Sequence, residues 1–273
     1  MRLEDARGFV FDLDGTLVQR GREGLVVIDG AREVLAAIRT SGRPIVVCTN
    51  ASHVTPGTIA EELREVGLRV SGEEVVTPPC SAISYLRANH PGVPVQVFAP
   101  QVTRERMVAE GIDVLSANGD GPQAGAVFVA HGESVDFGVI ERAARAVIAG
   151  APLLTASYVS AYAGADGPIF SRGAMLTAAL AKATGAAPRI VGKPSQASLD
   201  EISGRMGGIP AAELAIVGDD VALEVELGHI GGSYTVLVRS GMTGGLDLTQ
   251  APDRHRPHET VDTVAELLPR LRP

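Results

Sequence analysis

Gly8-Phe9-Val10-Phe11-Asp12-Leu13-Asp14-Gly15-Thr16-Leu17 decides how the rest of this chain is read. Phe9, Val10, Phe11 and Leu13 are aromatic, β-branched or aliphatic, in a run too short for a helix, which predicts a buried β-strand. Asp12 and Asp14 fall at the strand's carboxyl end. Gly15, having no Cβ, lets the chain turn away sharply. In an open α/β sheet that edge is where ligands bind. Two carboxylates one residue apart each raise the cost of ionising the other unless a positive group joins them. A divalent cation is the simplest such group, and hard cations such as Mg²⁺ prefer oxygen ligands. Taken alone, the same Asp and Gly residues would also suit an ordinary turn.

Composition limits what else the chain can be. Its 273 residues, 45% apolar and 21% charged, allow one large domain or two small ones. A formal net charge of −8 argues against nonspecific binding to nucleic acid or to an anionic membrane. Cys48 and Cys80 make neither a metal-ligand spacing nor a disulfide scaffold, which fits a reducing compartment. Acids at Glu4 and Asp5 stand where a signal peptide needs an apolar run, so the expected location is cytoplasmic. The uncharged stretch 146–165 is broken by Gly150, Pro152, Ser157 and Ser160, and reads as helix, turn and strand. Among 24 basic residues only Lys182 and Lys193 are lysine. Arginine carries the ordinary surface charge here, so a lysine is more plausibly chosen as a compact point charge on a flexible stem.

Along the chain, residues 18–28 read as a flap or hairpin. A helix follows over 30–41, with Ala31, Val34, Leu35 and Ile38 at helical spacing. Residues 44–50 are a second buried strand ending in Thr49-Asn50, and Pro56 opens the next helix. Strand, helix, strand, helix predicts a parallel sheet with right-handed crossovers. Thr77-Pro78-Pro79 breaks the pattern. A second α/β alternation follows, with helices over 81–89, 103–110 and 136–149 and strands over 93–98, 124–130 and 152–156. Phe137, Ile140, Ala144, Val147 and Ile148 are expected at core spacing on the third helix. After a turn-rich stretch at 164–168 come a helix over 172–184 and the strand Arg189-Ile190-Val191, ending in the Lys193 loop. Helix 196–206, strand Leu214-Ala215-Ile216-Val217-Gly218 ending in Asp219-Asp220, and a short helix over 222–227 come next. Strand 234–238, a surface loop over 249–259 and an amphipathic helix over 261–271 complete the prediction.

Polar chemistry thus collects at four strand ends: Asp12/Asp14, Thr49/Asn50, Lys193 and Asp219/Asp220. A parallel sheet brings such ends to one edge. Asp12-x-Asp14-Gly15-Thr16, Thr49, Lys193 and Gly218-Asp219, in that order, resemble the four motifs of the haloacid dehalogenase (HAD) superfamily of aspartate-nucleophile phosphatases. The insertion between the second and third motifs corresponds to the cap that the superfamily calls C2. Ile190-Val191-Gly192-Lys193-Pro194-Ser195 is similar to the branch of p-nitrophenyl-phosphatase and sugar-phosphate phosphatases. The fold class implied is α/β, a Rossmann-like parallel-sheet core with an inserted α/β C2-type cap. The expected division is core over 1–78, cap over 79–185 and core again over 186–273.

The resemblance implies a Mg²⁺-dependent phosphatase acting on a small phosphate monoester, such as a sugar phosphate, through an aspartyl-phosphate. Asp12 would be the nucleophile and Asp14 the general acid and base. Thr49, Asn50 and Lys193 would bind the phosphoryl group. Asp12, Asp14 (through its backbone carbonyl) and Asp219 would be the metal ligands. Glu224 stands where the family often has a further acid, with two readings open: it holds Lys193, or it holds a metal-bound water. Asp220 reads as a supporting or solvated residue, and His53, His131 and His229 as structural or solvent-facing.

In the cap, Thr155-Ala156-Ser157-Tyr158 replaces the Thr-Asn-Pro-Asp frequent in that branch, and Tyr158, Tyr162, Asp166 and Arg172 are candidates for the leaving-group pocket. The partners expected are a small phosphate ester, with neither nucleic acid nor membrane; a homo-oligomer formed through the cap is compatible with this scheme. Two other functions fit the same residues: a phosphotransferase or mutase delivering the phosphoryl group to a sugar hydroxyl, and a noncatalytic ligand sensor.

Overall fold

In the computed structural model the opening stretch forms β1 (Gly8–Phe11), buried at every residue. The structure describes all residues except 22–23, 117–120, 133–134, 165–166, 244–246 and 272–273, and not the side chains of 162–164 and 167–168. After β1 come the hairpin β2 (Val18–Gly21) and β3 (Gly24–Val27), α1 (Ala31–Thr40), β4 (Ile45–Cys48), α2 (Pro56–Glu65) and β5 (Val75–Val76). A second series comprises α3 (Pro78–Asn89), β6 (Val95–Phe98), α4 (Gln101–Ala109), β7 (Ala126–Val129), α5 (Phe137–Ile148) and β8 (Leu153–Thr155). It continues with β9 (Ala161–Gly164), β10 (Gly167–Phe170), α6 (Arg172–Thr184) and β11 (Arg189–Ile190). The last series is α7 (Gln196–Arg205), β12 (Leu214–Gly218), a π-helical turn (Val221–Val225), α8 (Glu226–Gly231), β13 (Tyr234–Val238), β14 (Glu259–Val261) and α9 (Leu268–Leu271).

These elements fall into two compact units. The first holds Met1–Thr49, Pro56–Val76 and Lys193–Pro273; the second holds Asn50–Thr55 and Thr77–Gly192.

In the first unit a six-stranded sheet has the order β14-β13-β12-β1-β4-β5, parallel throughout. β1 lies inside it, buried on both faces, which explains its nearly continuous apolar run. Phe11 pairs with Val217 of β12 on one side and Val47 of β4 on the other. The chain winds from β1 toward β4 and β5, then returns to the far side of β1 as β12. This reversal is the switch point at which open α/β sheets bind ligands. It sets Asp12 beside Asp219 at neighbouring strand ends. α1 buries Ala31, Val34, Leu35 and Ile38, the face its spacing predicts.

The second unit is built on a four-stranded parallel sheet of order β11-β8-β7-β6. Phe98, Val127, Val129 and Leu153 of its strands form one core cluster with Val139, Ala143, Ala146 and Val147 of α5 and Leu176 and Leu180 of α6. α6 begins where Ser171 accepts a hydrogen bond from the Ala174 N–H and ends at Gly185 in the left-handed region.

Several expectations need correction. The strand at Arg189–Ile190 is not part of the first unit's sheet: it pairs with Leu154 and Thr155 of β8. Two paired residues carry too little pattern to specify a sheet, and the chain re-enters the first unit only at Lys193, not at 186. Phe137 and Ile148 are 86% and 69% exposed rather than in the core. The buried face of α5 runs through Val139, Ala143, Ala146 and Val147, and at about 100° per residue Phe137 and Ile148 fall on the opposite side. Val261 ends a strand instead of opening a helix, because it pairs with Val238 at the sheet edge. A 3₁₀ turn over Val264–Leu267, capped by Thr263 and Glu266, then leads into α9. The short helix after Asp219 starts as a π turn. β5 and the β9–β10 hairpin were not foreseen. Among the described residues no helix is long and apolar enough to cross a membrane.

Candidate active site

In the first unit Asp12 and Glu224 meet at Lys193. This side chain is 2% exposed, and its Nζ donates to Asp12 Oδ1 at 2.5 Å and to Glu224 Oε1 at 2.6 Å. Asp12 continues β1, and its N–H donates to Val217 O at 2.9 Å, so the sheet fixes the backbone from which its carboxylate projects. Glu224 sits on the π turn, a departure from α geometry often found at functional sites. Its Oε2 accepts the Asp220 N–H at 3.1 Å. Gly218 makes this possible, since a Cβ there would overlap the Glu224 side chain. Asp220 is not drawn into the cluster; its side chain accepts the Ala222 N–H at 2.7 Å and so caps the turn.

Asp219 approaches from the other side. Its Oδ2 accepts the Met242 N–H at 2.6 Å, and its carbonyl accepts from the Thr243 N–H at 3.2 Å and from the Thr243 hydroxyl. Gly15 has φ +86°, and a Cβ built on it would collide with the Asp219 carboxylate. Glycine is therefore needed twice there, for the backbone conformation and for the close approach. Gly241 leaves room for the same carboxylate. Burial, and after it the charge of Asp12, push the Asp219 carboxyl up to about 6. Burial also pushes Glu224 up, against the attraction of Lys193. Despite its own burial, Lys193 is held well above the usual lysine range by the charges of Asp12 and Glu224.

Asp14 is half-exposed. Its Oδ1 accepts from Arg20 Nε at 2.8 Å, and Arg20 Nη1 is also 3.6 Å from Glu62 Oε2 of α2. Burial raises its carboxyl above the ordinary value, with Arg20 opposing and Asp12 adding to the rise. Thr49 is buried after β4, and its N–H donates to Val76 O at 3.0 Å. Asn50 groups with the second unit, where a Cβ on Gly192 would come 2.8 Å from its Oδ1.

The donor chemistry fits a hard dication. Asp12, Asp219 and Glu224 are buried carboxylates, and the Lys193 ammonium is engaged by Asp12 and Glu224. Asp219 is left with Asp12's repulsion and, among the described residues, the Met242 N–H as partner for its carboxylate. Among the described residues no three His, Cys, Asp or Glu side chains converge as a ready-made cage. A metal here would take oxygen from two carboxylates and complete its shell with backbone carbonyl and water, the manner of Mg²⁺.

The leaving-group candidates belong to the second unit. Tyr158 is 43% exposed, and Arg172 is exposed at the start of α6, its backbone against Gly132. Asp166 and the Tyr162 side chain lie outside the described residues. His53 and His131 face each other with ring centroids 5.7 Å apart, and His229 Nε2 is 2.9 Å from Arg256 O. These contacts agree with structural histidines. Arg20 went unpredicted; nothing in the hairpin sequence separates it from the many other arginines.

A family profile described as haloacid dehalogenase-like hydrolase matches residues 9–113, and a second, HAD-hydrolase-like, matches residues 190–267. The chain belongs to the haloacid dehalogenase superfamily, in its phosphatase branch. It is 25% identical over 263 residues to 5'-nucleotidase YutF of Bacillus subtilis, covering 96% of this chain and 98% of that protein. The p-nitrophenyl phosphatase of Archaeoglobus fulgidus superposes with a TM-score of 0.84 at 25% identity, covering 97% of this chain and 99% of the other. A glycerol phosphate phosphatase from Mycobacterium tuberculosis, solved in complex with magnesium, gives 0.82 at 26% identity, over 98% of this chain and 77% of that one.

Proposed function

We propose that this protein is a Mg²⁺-dependent phosphatase that hydrolyses a small metabolite phosphate monoester, of the sugar-phosphate kind, through an aspartyl-phosphate on Asp12. The observation that carries the proposal is the excess of buried carboxylate over ammonium where β1 and β12 end. Such an excess is costly by itself and is relieved by a dication. The names of the relatives, which act on nucleotide, nitrophenyl phosphate and glycerol phosphate, support a small monoester as substrate.

Asp12, Asp219 and the carbonyl of Asp14 would hold the metal, which would supply positive charge to the phosphoryl oxygens and to the attacking carboxylate. Asp12 attacks phosphorus, splitting one high barrier into two lower ones. Lys193, anchored by Glu224, stabilises negative charge on the transferring group. Being buried, it does so in a medium where each charge counts for more than in water. Thr49 has committed its amide to Val76, so its hydroxyl is the group it would lend to the phosphate. Asp14 protonates the leaving oxygen and then takes a proton from the water that attacks the aspartyl-phosphate. The two core segments and the inserted second unit act as core and cap in this scheme, and the cap chooses the leaving group.

The test is turnover of p-nitrophenyl phosphate with Mg²⁺ by Asp12→Asn. Activity should fall by roughly three orders of magnitude or more, as for loss of a nucleophile, while the variant stays folded by circular dichroism. Wild-type-like turnover in a folded variant would remove the assignment.

A further inference from the structure

Arg20 lies outside the motifs, yet it makes the structure's ion pair to Asp14. Its Nε is 2.8 Å from Asp14 Oδ1. Nothing in the reaction requires a cation beside that carboxylate, so its geometry needs an explanation.

The hairpin carrying Arg20 is fastened to the nucleophile loop. The Gly15 N–H donates to Val18 O at 2.7 Å, the Leu17 and Val18 N–H groups donate to Leu13 O at 3.0 and 3.1 Å, and the Ile28 N–H donates to Leu17 O at 3.0 Å. β2 and β3 pair along their length from Val18↔Val27 to Gly21↔Gly24. Next to Arg20, Gln19 Nε2 donates to Ser240 O at 3.0 Å, and the Ser240 hydroxyl donates back to Gly15 O at 2.7 Å. Arg20 therefore stands on a base tied to Asp14's own loop at several points. Glu62 Oε2 of α2, 3.6 Å from Nη1, is a second carboxylate partner of the guanidinium.

We propose that Arg20 is the positioning residue for Asp14: it holds Oδ1 so that Oδ2 is turned to the proton-transfer path. This rests on the acid–base role of Asp14 given above. A carboxyl group keeps an acceptor oxygen when protonated, so one oxygen can stay on Arg20 through the whole cycle. In the first half-reaction the Asp12 oxygen–phosphorus bond forms, the ester phosphorus–oxygen bond breaks, and the Oδ2 proton moves to the departing oxygen. In the second, a water oxygen bonds phosphorus, the Asp12 oxygen–phosphorus bond breaks, and the water's proton returns to Oδ2. The cation favours the charge that Asp14 acquires as it gives up its proton. Its planar fork fixes direction as well as charge, which a lysine ammonium would not do.

The test uses the leaving group. p-Nitrophenolate departs without much help, whereas an alkoxide must be protonated as it leaves. kcat/KM reports the chemistry up to the first irreversible step, which is loss of that group. Arg20→Leu should lower kcat/KM for glycerol phosphate at least about tenfold more than for p-nitrophenyl phosphate, a fraction of what general acid catalysis supplies. Arg20→Lys should fall between wild type and Arg20→Leu. Asp14→Asn supplies the reference, with a larger split in the same sense. Circular dichroism and the thermal unfolding midpoint of each variant show that it is folded. Equal losses on both esters, or no loss on either, would overturn the role of Arg20. Absence of a split in Asp14→Asn would instead overturn the acid–base reading beneath it.

Discussion

Glu224 grips Lys193: the ammonium lies 2.6 Å from Oε1, and both side chains are 2% exposed. Thirty-one residues separate them in sequence. Of the two readings that the sequence left open for Glu224, the contact with Lys193 is the one the structure makes. A mobile lysine would exchange among Asp12, solvent and substrate; a lysine clamped between two carboxylates can offer its charge in one place.

Removing that clamp should affect activity and stability together. Glu224→Gln keeps shape and one acceptor oxygen but loses the charge, and should lower kcat by roughly ten- to a hundredfold with less change in KM. Glu224→Ala takes one of two carboxylates from a buried cation and should cost about 3–5 kcal/mol, the range for breaking a buried ion pair. Urea unfolding of both variants, next to steady-state kinetics, checks the pair. Unchanged stability in Glu224→Ala would mean that the contact is not made in solution.

Gly15→Ala puts a methyl group where the Asp219 carboxylate lies, at φ +86°. The backbone conformation alone should cost about 1–2 kcal/mol. On the proposed metal site Mg²⁺ should stabilise the wild-type protein, and displacement of Asp219 should weaken that stabilisation. Thermal unfolding with and without Mg²⁺ separates the two effects. A normal Mg²⁺ response in this variant would show that Asp219 does not help to hold the metal.

The raised carboxyl of Asp219 gives the metal response a pH dependence. Its folded value of about 6 lies above the ordinary 3.8, so between those values the folded protein binds more protons than the unfolded chain. Stability of the metal-free protein from this group is therefore present at low pH and is lost as pH rises through about 6. Mg²⁺ needs the ionised form, so its stabilising effect should be larger at pH about 7.5 than at pH about 5. Melting-temperature shifts at the two pH values measure this, and equal shifts would contradict it.

The face of α5 can be tested apart from catalysis. Phe137→Ser, at a position 86% exposed, should change stability by no more than about 0.5 kcal/mol. Leu180→Ala, at a fully buried position in the same unit, should cost about 2–5 kcal/mol. Chemical denaturation compares the two, and a larger loss from Phe137→Ser would mean that this face of α5 is covered in solution.

Much of this was legible in order along the chain. β1, β4 and β12 announce themselves as short apolar runs ending in polar residues, because a strand buried on both faces needs apolar side chains at every position. α1 and α6 declare where they stop through Gly42 and Gly185, both in the left-handed region that helix ends favour. Asp12, Asp14, Lys193 and Asp219 stood out because each sets a charge at the end of an apolar strand or in an arginine-rich background.

What the sequence by itself determined, then, was the set of strands, the order in which their ends arrive and the charges they carry. The tertiary structure alone decided which sheet receives Arg189–Ile190, which face of α5 meets the core, that Glu224 reaches Lys193, and that Arg20 reaches Asp14. The first group depends on neighbours within a few residues, whose pattern repeats at 2 or 3.6 positions. The second depends on packing between segments or on side-chain direction, which leaves no period in the chain and is fixed only when the surfaces meet.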